Sequence, residues 1–153
     1  MRRNVGRASL LILSLTLLLA GVAQAGHAQD TTTGCSLSTV KGTYSVQGQG
    51  TIVAQLPGFP APPFPFAEVA VDFLDGSGNI SGNFTANVNG VVVPGTVAGT
   101  YTMNPDCTGT ITLLTNSGIP VNESFLLLRN GGLRLVDTDS YIVITRTMEK
   151  MRD

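Results

Sequence analysis

The sequence contains no tryptophan, one histidine and two cysteines among its 153 residues. The histidine, His27, lies near the N-terminus and outside the segments that carry a strand pattern, so a histidine-based catalytic pair in the folded region is excluded. No serine has the sequence context of a nucleophile elbow, and a zinc-type site needs more cysteine or histidine ligands than the chain offers. The sequence therefore predicts no catalytic residue, no metal and no other cofactor.

Basic residues are also few, and three of the nine, all arginines, fall within the first seven positions. They are followed by the apolar segment 10–20 and by Ala23-Gln24-Ala25, which together are typical of a signal peptide and its cleavage site. We predict that residues 1–25 are removed during export, with cleavage after Ala28 as the alternative. An uncleaved N-terminal membrane anchor is less consistent with so short an apolar segment.

The chain that remains after cleavage has about 128 residues, and without the three leading arginines it holds six basic and ten acidic groups, a net charge of −4. Because it has no basic patch, nucleic acid is excluded as a partner. No further apolar run is long enough to predict a membrane span in the mature chain, and the length suits one domain. We predict a flexible N-terminal segment at 26–39, one domain at 40–148 and a C-terminal tail at 149–153.

The two cysteines, Cys35 and Cys107, are expected to form a disulfide bond. Export places them in an oxidising compartment, where a disulfide is the usual state of such a pair. Two buried free thiols and a metal-binding pair are the alternatives. The bond would attach the N-terminal segment to the far half of the domain.

From Val40 onward, apolar and polar residues alternate with a period of two, which predicts an all-β domain. In the clearest example, every second residue from Ile80 to Val88 is apolar or glycine, and those between are Ser, Asn or Thr. Short turns rich in Asn, Asp and Gly separate such runs, so we expect an antiparallel meander of eight or nine strands. A small closed barrel is favoured because closure leaves no edge strand; a two-sheet β-sandwich is the alternative.

The same periodicity assigns charged side chains to the inside or the outside. In the segment 66–74 we place the alternate apolar residues inside, and Glu68 and Asp72 outside as solvated charges. Glu123 shares its face with apolar residues, and two interpretations follow. If that face is inward, burial raises the pKa of Glu123 and makes it a candidate site. Otherwise it lies in water at the entrance of its strand, which is the interpretation that we favour.

The sequence V-x-G-T-Y occurs twice, at 40–44 and at 97–101. In each copy the glycine and the tyrosine, Gly42 with Tyr44 and Gly99 with Tyr101, point to the same face of a strand. A glycine on a strongly curved barrel wall leaves space that a neighbouring aromatic ring can cover. The repeat therefore predicts bends in the wall and aromatic packing over them.

The segment 56–66, L-P-G-F-P-A-P-P-F-P-F, holds five prolines and three of the six phenylalanines, Phe59, Phe64 and Phe66. Prolines cannot donate the hydrogen bonds of a sheet, so the segment is expected to be a stiff, extended connection between a strand ending near Gln55 and one beginning near Phe66. Its phenylalanines either plug one end of the barrel or border a ligand entrance or contact patch. Both interpretations stay open.

The stretch G-T-Y-T-M-N-P-D-C-T-G-T-I-T-L (99–113), with F-L-D-G-S-G-N-I-S-G (73–82), resembles a pattern in small exported bacterial proteins of unknown function. In these a strand with G-x-Y leads through D-C-x-G into the next strand. In architecture the chain is similar to lipocalins and allene oxide cyclase-like barrels. Gly42-Thr43-Tyr44 stands where lipocalins carry Gly-x-Trp, with tyrosine in place of the tryptophan. The resemblance implies a barrel fold and no particular activity.

Three functions are compatible with these patterns. The first is an exported non-catalytic binding or interaction module, periplasmic or extracellular, that contacts a small apolar ligand or a protein partner through the segment 56–66. Its candidate binding residues are Phe59, Phe64, Phe66, Tyr44, Tyr101 and Glu123. The second is a structural or surface-coat protein, suggested by the uncharged Thr and Asn faces. The third is an isomerase-type enzyme that uses Tyr44, Tyr101 or Glu123 inside the barrel.

Overall fold

The computed structural model describes residues 34–55 and 61–152; the predicted signal peptide, 1–25, and Phe59 lie outside the described residues. Within these ranges a short 3-10 helix, Leu37–Val40, is followed by eight strands. The strands are β1 Gly42–Ile52, β2 Phe64–Leu74, β3 Asn79–Val88, β4 Val91–Tyr101, β5 Thr108–Thr115, β6 Pro120–Leu127, β7 Leu133–Asp137 and β8 Ile142–Lys150.

The eight strands form one closed antiparallel barrel, in which consecutive strands pair and β8 pairs with β1. The predicted all-β meander and closed barrel are therefore confirmed, and the alternative of a two-sheet sandwich is wrong. The last strand ends at Lys150, beyond the predicted end of the domain at residue 148. In the part of the chain that the structure describes, no helix is long and apolar enough to cross a bilayer.

Turn residues set the strand boundaries. Asp75 Oδ1 accepts hydrogen bonds from the backbone N–H groups of Ser77 at 2.6 Å and of Asn79 at 3.0 Å, which holds the turn between β2 and β3. Asn89 and Gly90 have positive φ values of 52° and 88°, as a two-residue hairpin turn requires. Between these two turns β3 alternates buried and exposed residues as predicted.

The 3-10 helix packs against one end of the barrel, and both tyrosines of the repeated V-x-G-T-Y sequence hold it there. The Tyr44 hydroxyl donates to the carbonyl of Val40 at 3.0 Å, and the Tyr101 hydroxyl donates to the carbonyl of Leu37 at 3.1 Å. Each copy of the repeat therefore fixes one end of the helix.

Residues 34–39, predicted as part of a flexible segment, are instead anchored to the barrel. Cys35 and Cys107 form the predicted disulfide, with their Cα atoms 5.0 Å apart. The backbone N–H of Cys35 also donates to the carbonyl of Pro105 at 3.1 Å. The disulfide thus joins the start of the described chain to the turn between β4 and β5.

Aromatic rings cover two glycines of the barrel wall, but not the glycines of the repeat. A Cβ atom at Gly95 would lie 2.4 Å from a ring atom of Phe84, and one at Gly109 would lie 2.4 Å from a ring atom of Phe125. Both glycines lie directly opposite their ring on the neighbouring strand. Gly99 instead allows close approach of the β5 backbone. Aromatic packing over glycine therefore occurs in this barrel, but in pairs other than the predicted ones.

The predicted assignment of the two faces of β2 is wrong. Its alternate apolar residues lie on the outside and are 46 to 61% exposed: Val69, Val71 and Phe73. The side chains of Glu68 and Asp72 point into the barrel, with Asp72 only 6% exposed. The reason is the pairing with β1, because Glu68 lies opposite Gly48, whose missing side chain leaves space inside. Alternation predicted the period of β2 but not which face is inward.

Candidate ligand-binding cavity

Charged residues separate two apolar clusters inside the barrel. The cluster beside the 3-10 helix includes Val40, Tyr44, Leu74, Tyr101, Phe125 and Met148. The cluster at the opposite end consists of Ile52, Phe64, Ala86, Val88, Ile142 and Ile144. Between them, β2 carries Glu68 and β8 carries Arg146, and Asp72 lies farther along β2, between Ala70 and Leu74 of the cluster beside the helix. The polar layer is therefore built from strand positions that would otherwise continue the apolar core.

A cavity of about 350 Å³ occupies the middle of the barrel and the end away from the 3-10 helix. Most of its wall is aliphatic or aromatic, including Val46, Phe66, Ala70, Phe84, Val97 and Ile142. It reaches Ser117 and Ile119 in the β5–β6 connection and Tyr141 in the β7–β8 connection. The cavity therefore extends to the end of the barrel where the β1–β2 connection also lies.

Arg146 links carboxylates from three strands across the interior. Its Nε contacts Glu68 Oε1, its Nη1 contacts Glu123 Oε1, and Asp137 Oδ2 lies 3.6 Å from Nη1. All four side chains are at most 9% exposed. Burial lowers the pKa of Arg146, but the carboxylates of Glu123 and Glu68 raise it by more, so the guanidinium stays protonated. The cluster thus holds one permanent positive charge.

Two glycines make room for this polar layer. A Cβ atom at Gly48 would lie 2.8 Å from Glu68 Oε1 and 3.0 Å from Arg146 Cγ. A Cβ atom at Gly82, which pairs with Asp72, would lie 1.9 Å from Asp72 Oδ1. Glycines at these strand positions therefore leave the interior space that the carboxylates of β2 occupy.

Asp72 lines the cavity, and its Oδ1 is buried without a hydrogen-bond partner among the described residues. Burial, together with the nearby carboxylates of Glu68 and Glu123, raises the pKa of Asp72 to about 7, although Arg146 acts in the opposite direction. Asp72 therefore changes its charge near neutral pH at the wall of the cavity, while its Oδ1 lies buried beside Gly82.

Glu123 is 3% exposed and lines the cavity, so the favoured prediction that it lies in water is wrong. Burial raises the pKa of Glu123, while the charge and the hydrogen bond of Arg146 act in the opposite direction. Burial also raises the pKa of Asp137, whose Oδ2 has no hydrogen-bond partner among the described residues. Within those residues, no group of three or more His, Cys, Asp or Glu is arranged to hold a metal ion.

The structure separates the predicted binding residues. Phe66 and Glu123 line the cavity, and Phe64 is buried in the apolar cluster at the same end. Tyr44 and Tyr101 belong to the core beneath the 3-10 helix and are not part of the cavity wall. Phe59 lies outside the described residues.

Sequence reasoning did not identify Asp72, Glu68, Asp137 or Arg146 as residues of a site. The signal that could have found them is the pair of glycines at 48 and 82, each opposite a carboxylate of β2 in the register of the barrel. That register becomes visible only once the strands are paired.

The chain matches no protein-family model, and a search of curated proteins found no significant match. The function must therefore be argued from the cavity itself.

Proposed function

We propose that the protein is an exported, non-catalytic binding protein that holds a small, mainly apolar molecule inside its barrel. The observation that carries this proposal is the cavity of about 350 Å³, with apolar walls and a few buried polar groups. Sites for small molecules are of this kind and typically measure ~300–1,000 Å³. An apolar cavity of ~150 Å³ already binds benzene. The disulfide is compatible with export, since such bonds persist in oxidising compartments.

The connection between β1 and β2 supports an entrance at the far end of the barrel. It comprises residues 53–63, because β2 begins at Phe64, earlier than the sequence predicts. The flanking residue Ile52 and the nearby Phe66 line the cavity. We therefore propose that the entrance lies at this end of the barrel, beside the described parts of the connection, 53–55 and 61–63.

Binding of the neutral fluorescent probe N-phenylnaphthylamine tests the proposal. Fluorescence should rise on titration and saturate at one probe per barrel. Ala70→Leu and Ala86→Leu, which place extra side-chain volume in the cavity, should abolish the signal without loss of the folded state by circular dichroism. Ala98→Leu is the matched control, because Ala98 is exposed on the outside of β4. Probe binding that survives both filled cavities would contradict the proposal.

A proton-transfer enzyme of isomerase type is the second candidate, favoured by the carboxyl group of Asp72 in the cavity wall. Its pKa, raised by burial to about 7, suits a general acid or base at neutral pH. Asp72 would take a proton from the α-carbon of a β,γ-unsaturated ketone and return it to the γ-carbon. Ultraviolet absorbance follows this conversion with a β,γ-unsaturated cyclohexenone. Acceleration that Asp72→Asn abolishes would support the enzyme; no acceleration by the wild-type protein would argue against it.

A further inference from the structure

We propose that the ligand of this cavity is a cationic amphiphile, a small amine whose ammonium group pairs with Asp72 and whose apolar part points toward the barrel entrance. The inference rests on the proposed binding function and deepens it. It names the chemical class that the polar layer selects.

A buried carboxyl group lies in the wall of the cavity. Asp72 is 6% exposed and lines the cavity, while its Oδ1 is buried beside Gly82 and has no hydrogen-bond partner among the described residues. A carboxylate buried in this way is costly, and a ligand that brings a positive charge to it lowers that cost. An ammonium group brings this charge, with several N–H donors, to the part of the carboxyl group that faces the cavity.

Carboxyl groups outnumber positive charges in the polar layer. Glu68, Glu123 and Asp137 lie against the single guanidinium of Arg146, and Asp72 is a fourth carboxyl group within its electrostatic reach. Arg146 is engaged with Glu68 and Glu123 and lies close to Asp137, so it is not available to a ligand anion. In a buried site charges interact more strongly than in water, so a carboxylate ligand is repelled and an ammonium ligand is attracted.

The wall beside Asp72 is elongated along β2. Along β2 the inward residues run from Asp72 through Ala70 and Glu68 to Phe66 at the entrance end. From Asp72 to Phe66 the strand advances by six residues, which is about 20 Å at ~3.3 Å per residue. A linear molecule with its charged group at Asp72 can therefore lay its chain along Ala70 and the ring of Phe84.

Calorimetric titration of the purified, oxidised protein with three probes of equal length tests the inference: n-octylamine, n-octanol and octanoate. At pH 8 we expect n-octylamine to bind about tenfold or more tighter than n-octanol, as a charge-assisted hydrogen bond provides, and octanoate to bind weakest. In Asp72→Asn the ratio of the n-octylamine and n-octanol affinities should fall to about one. Glu149→Gln, which removes an exposed carboxylate from β8, should keep the wild-type ratio.

A pH series on the wild-type protein gives a second measurement that needs no variant. Glu68 of β2, Glu123 of β6 and Arg146 of β8 are the charged groups that act on Asp72, and Asp137 of β7 lies beside Arg146. Asp72 itself loses its proton near pH 7. The affinity for n-octylamine should therefore rise from pH 5 to pH 8, since the amine, with a pKa of about 10 like that of lysine, stays protonated. The affinity for n-octanol should not follow this rise.

The outcomes separate the two proposals. If n-octanol binds but n-octylamine gains no preference, or if the preference persists in Asp72→Asn, the amine inference is wrong and the binding function stands. A flat pH dependence for n-octylamine likewise overturns the inference alone. If neither n-octylamine nor n-octanol binds the wild-type protein, the proposed binding function fails with it.

Discussion

Arg146 is the positive charge around which the polar layer of the barrel is organised. A buried ion pair adds little net stability, because the charges lose their hydration, but removal of one partner leaves the others buried and unpaired. In this barrel one guanidinium serves Glu68, Glu123 and Asp137 at once. Its loss therefore affects three carboxylates.

We expect Arg146→Met to lower the free energy of unfolding by about 3–5 kcal/mol at neutral pH, measured by urea denaturation. The methionine keeps much of the packing volume and removes the charge together with the N–H donors to Glu68 and Glu123. Arg134→Met is the control, since Arg134 is exposed on β7, and it should change stability by less than about 0.5 kcal/mol. Equal effects of the two substitutions would show that the ionic cluster does not stabilise the interior.

Asp72 makes stability depend on pH. Burial raises its folded-state pKa from 3.8 to about 7, so the folded protein holds this proton more tightly than the unfolded chain does. The resulting stabilisation is complete below about pH 4 and is lost as the pH rises through 7. The difference corresponds to roughly 4 kcal/mol. We expect the unfolding free energy of the wild type, relative to Asp72→Asn, to fall by about this amount between pH 4 and pH 8 in urea titrations. Parallel pH curves for the two proteins would contradict it.

The incorrect prediction for β2 shows that a residue pattern does not determine which face of a strand is inward. Apolar and charged residues alternate there with equal regularity, so the period alone leaves two orientations. The inward face of β2 is determined by its cross-strand neighbours. Gly48 lies opposite Glu68 and Gly82 lies opposite Asp72, and these glycines leave space inside the barrel for the two larger side chains. By contrast β3 has polar residues without charge on one face and apolar residues on the other, and its inward face was predicted correctly.

The 3-10 helix Leu37–Val40 closes one end of the barrel through hydrogen bonds that the repeated V-x-G-T-Y sequence supplies. The Tyr101 hydroxyl donates to the carbonyl of Leu37 and accepts from the backbone N–H of Gly76 at 3.0 Å. Tyr44 makes the single bond to Val40. The repeat could be recognised in the sequence, but its partner could not, because the helix is only four residues long and has no periodic pattern.

We expect Tyr101→Phe to cost about 1–3 kcal/mol of stability and Tyr44→Phe about 1 kcal/mol, because the first removes two hydrogen bonds and the second one. Both variants keep the ring and its packing. Urea denaturation gives the two values, and amide exchange should report faster opening of the helix. A Tyr101→Phe protein as stable as the wild type would show that the hydroxyl of Tyr101 does not stabilise this end of the barrel.

Closure of the whole barrel could be predicted because each turn and each alternating run pointed to neighbouring antiparallel strands. The hollow interior could not. The volume of the cavity is the space that inward side chains from several strands together leave unfilled. The pattern of a single strand does not predict this volume. Ala86 looks like an ordinary small core residue in the sequence, and Ala70 shares the face of β2 that was predicted to lie outside, although both line the cavity.

The disulfide acts on the whole molecule, since Cys35 and Cys107 are 72 positions apart in the sequence. Its removal by reduction, or in Cys35→Ser with Cys107→Ser, should lower stability by up to roughly 4 kcal/mol, and by less if the unfolded chain is compact. The cavity opens at the other end of the barrel, so N-phenylnaphthylamine should still bind the reduced protein wherever it remains folded.

Intact mass after alkylation without reductant establishes that the starting protein is oxidised, and the double serine variant should not respond to reductant. Two alkylated thiols in that starting protein would contradict the bond. Loss of probe binding on reduction, in protein that is still folded, would instead show that the helix end and the cavity are coupled through the barrel wall.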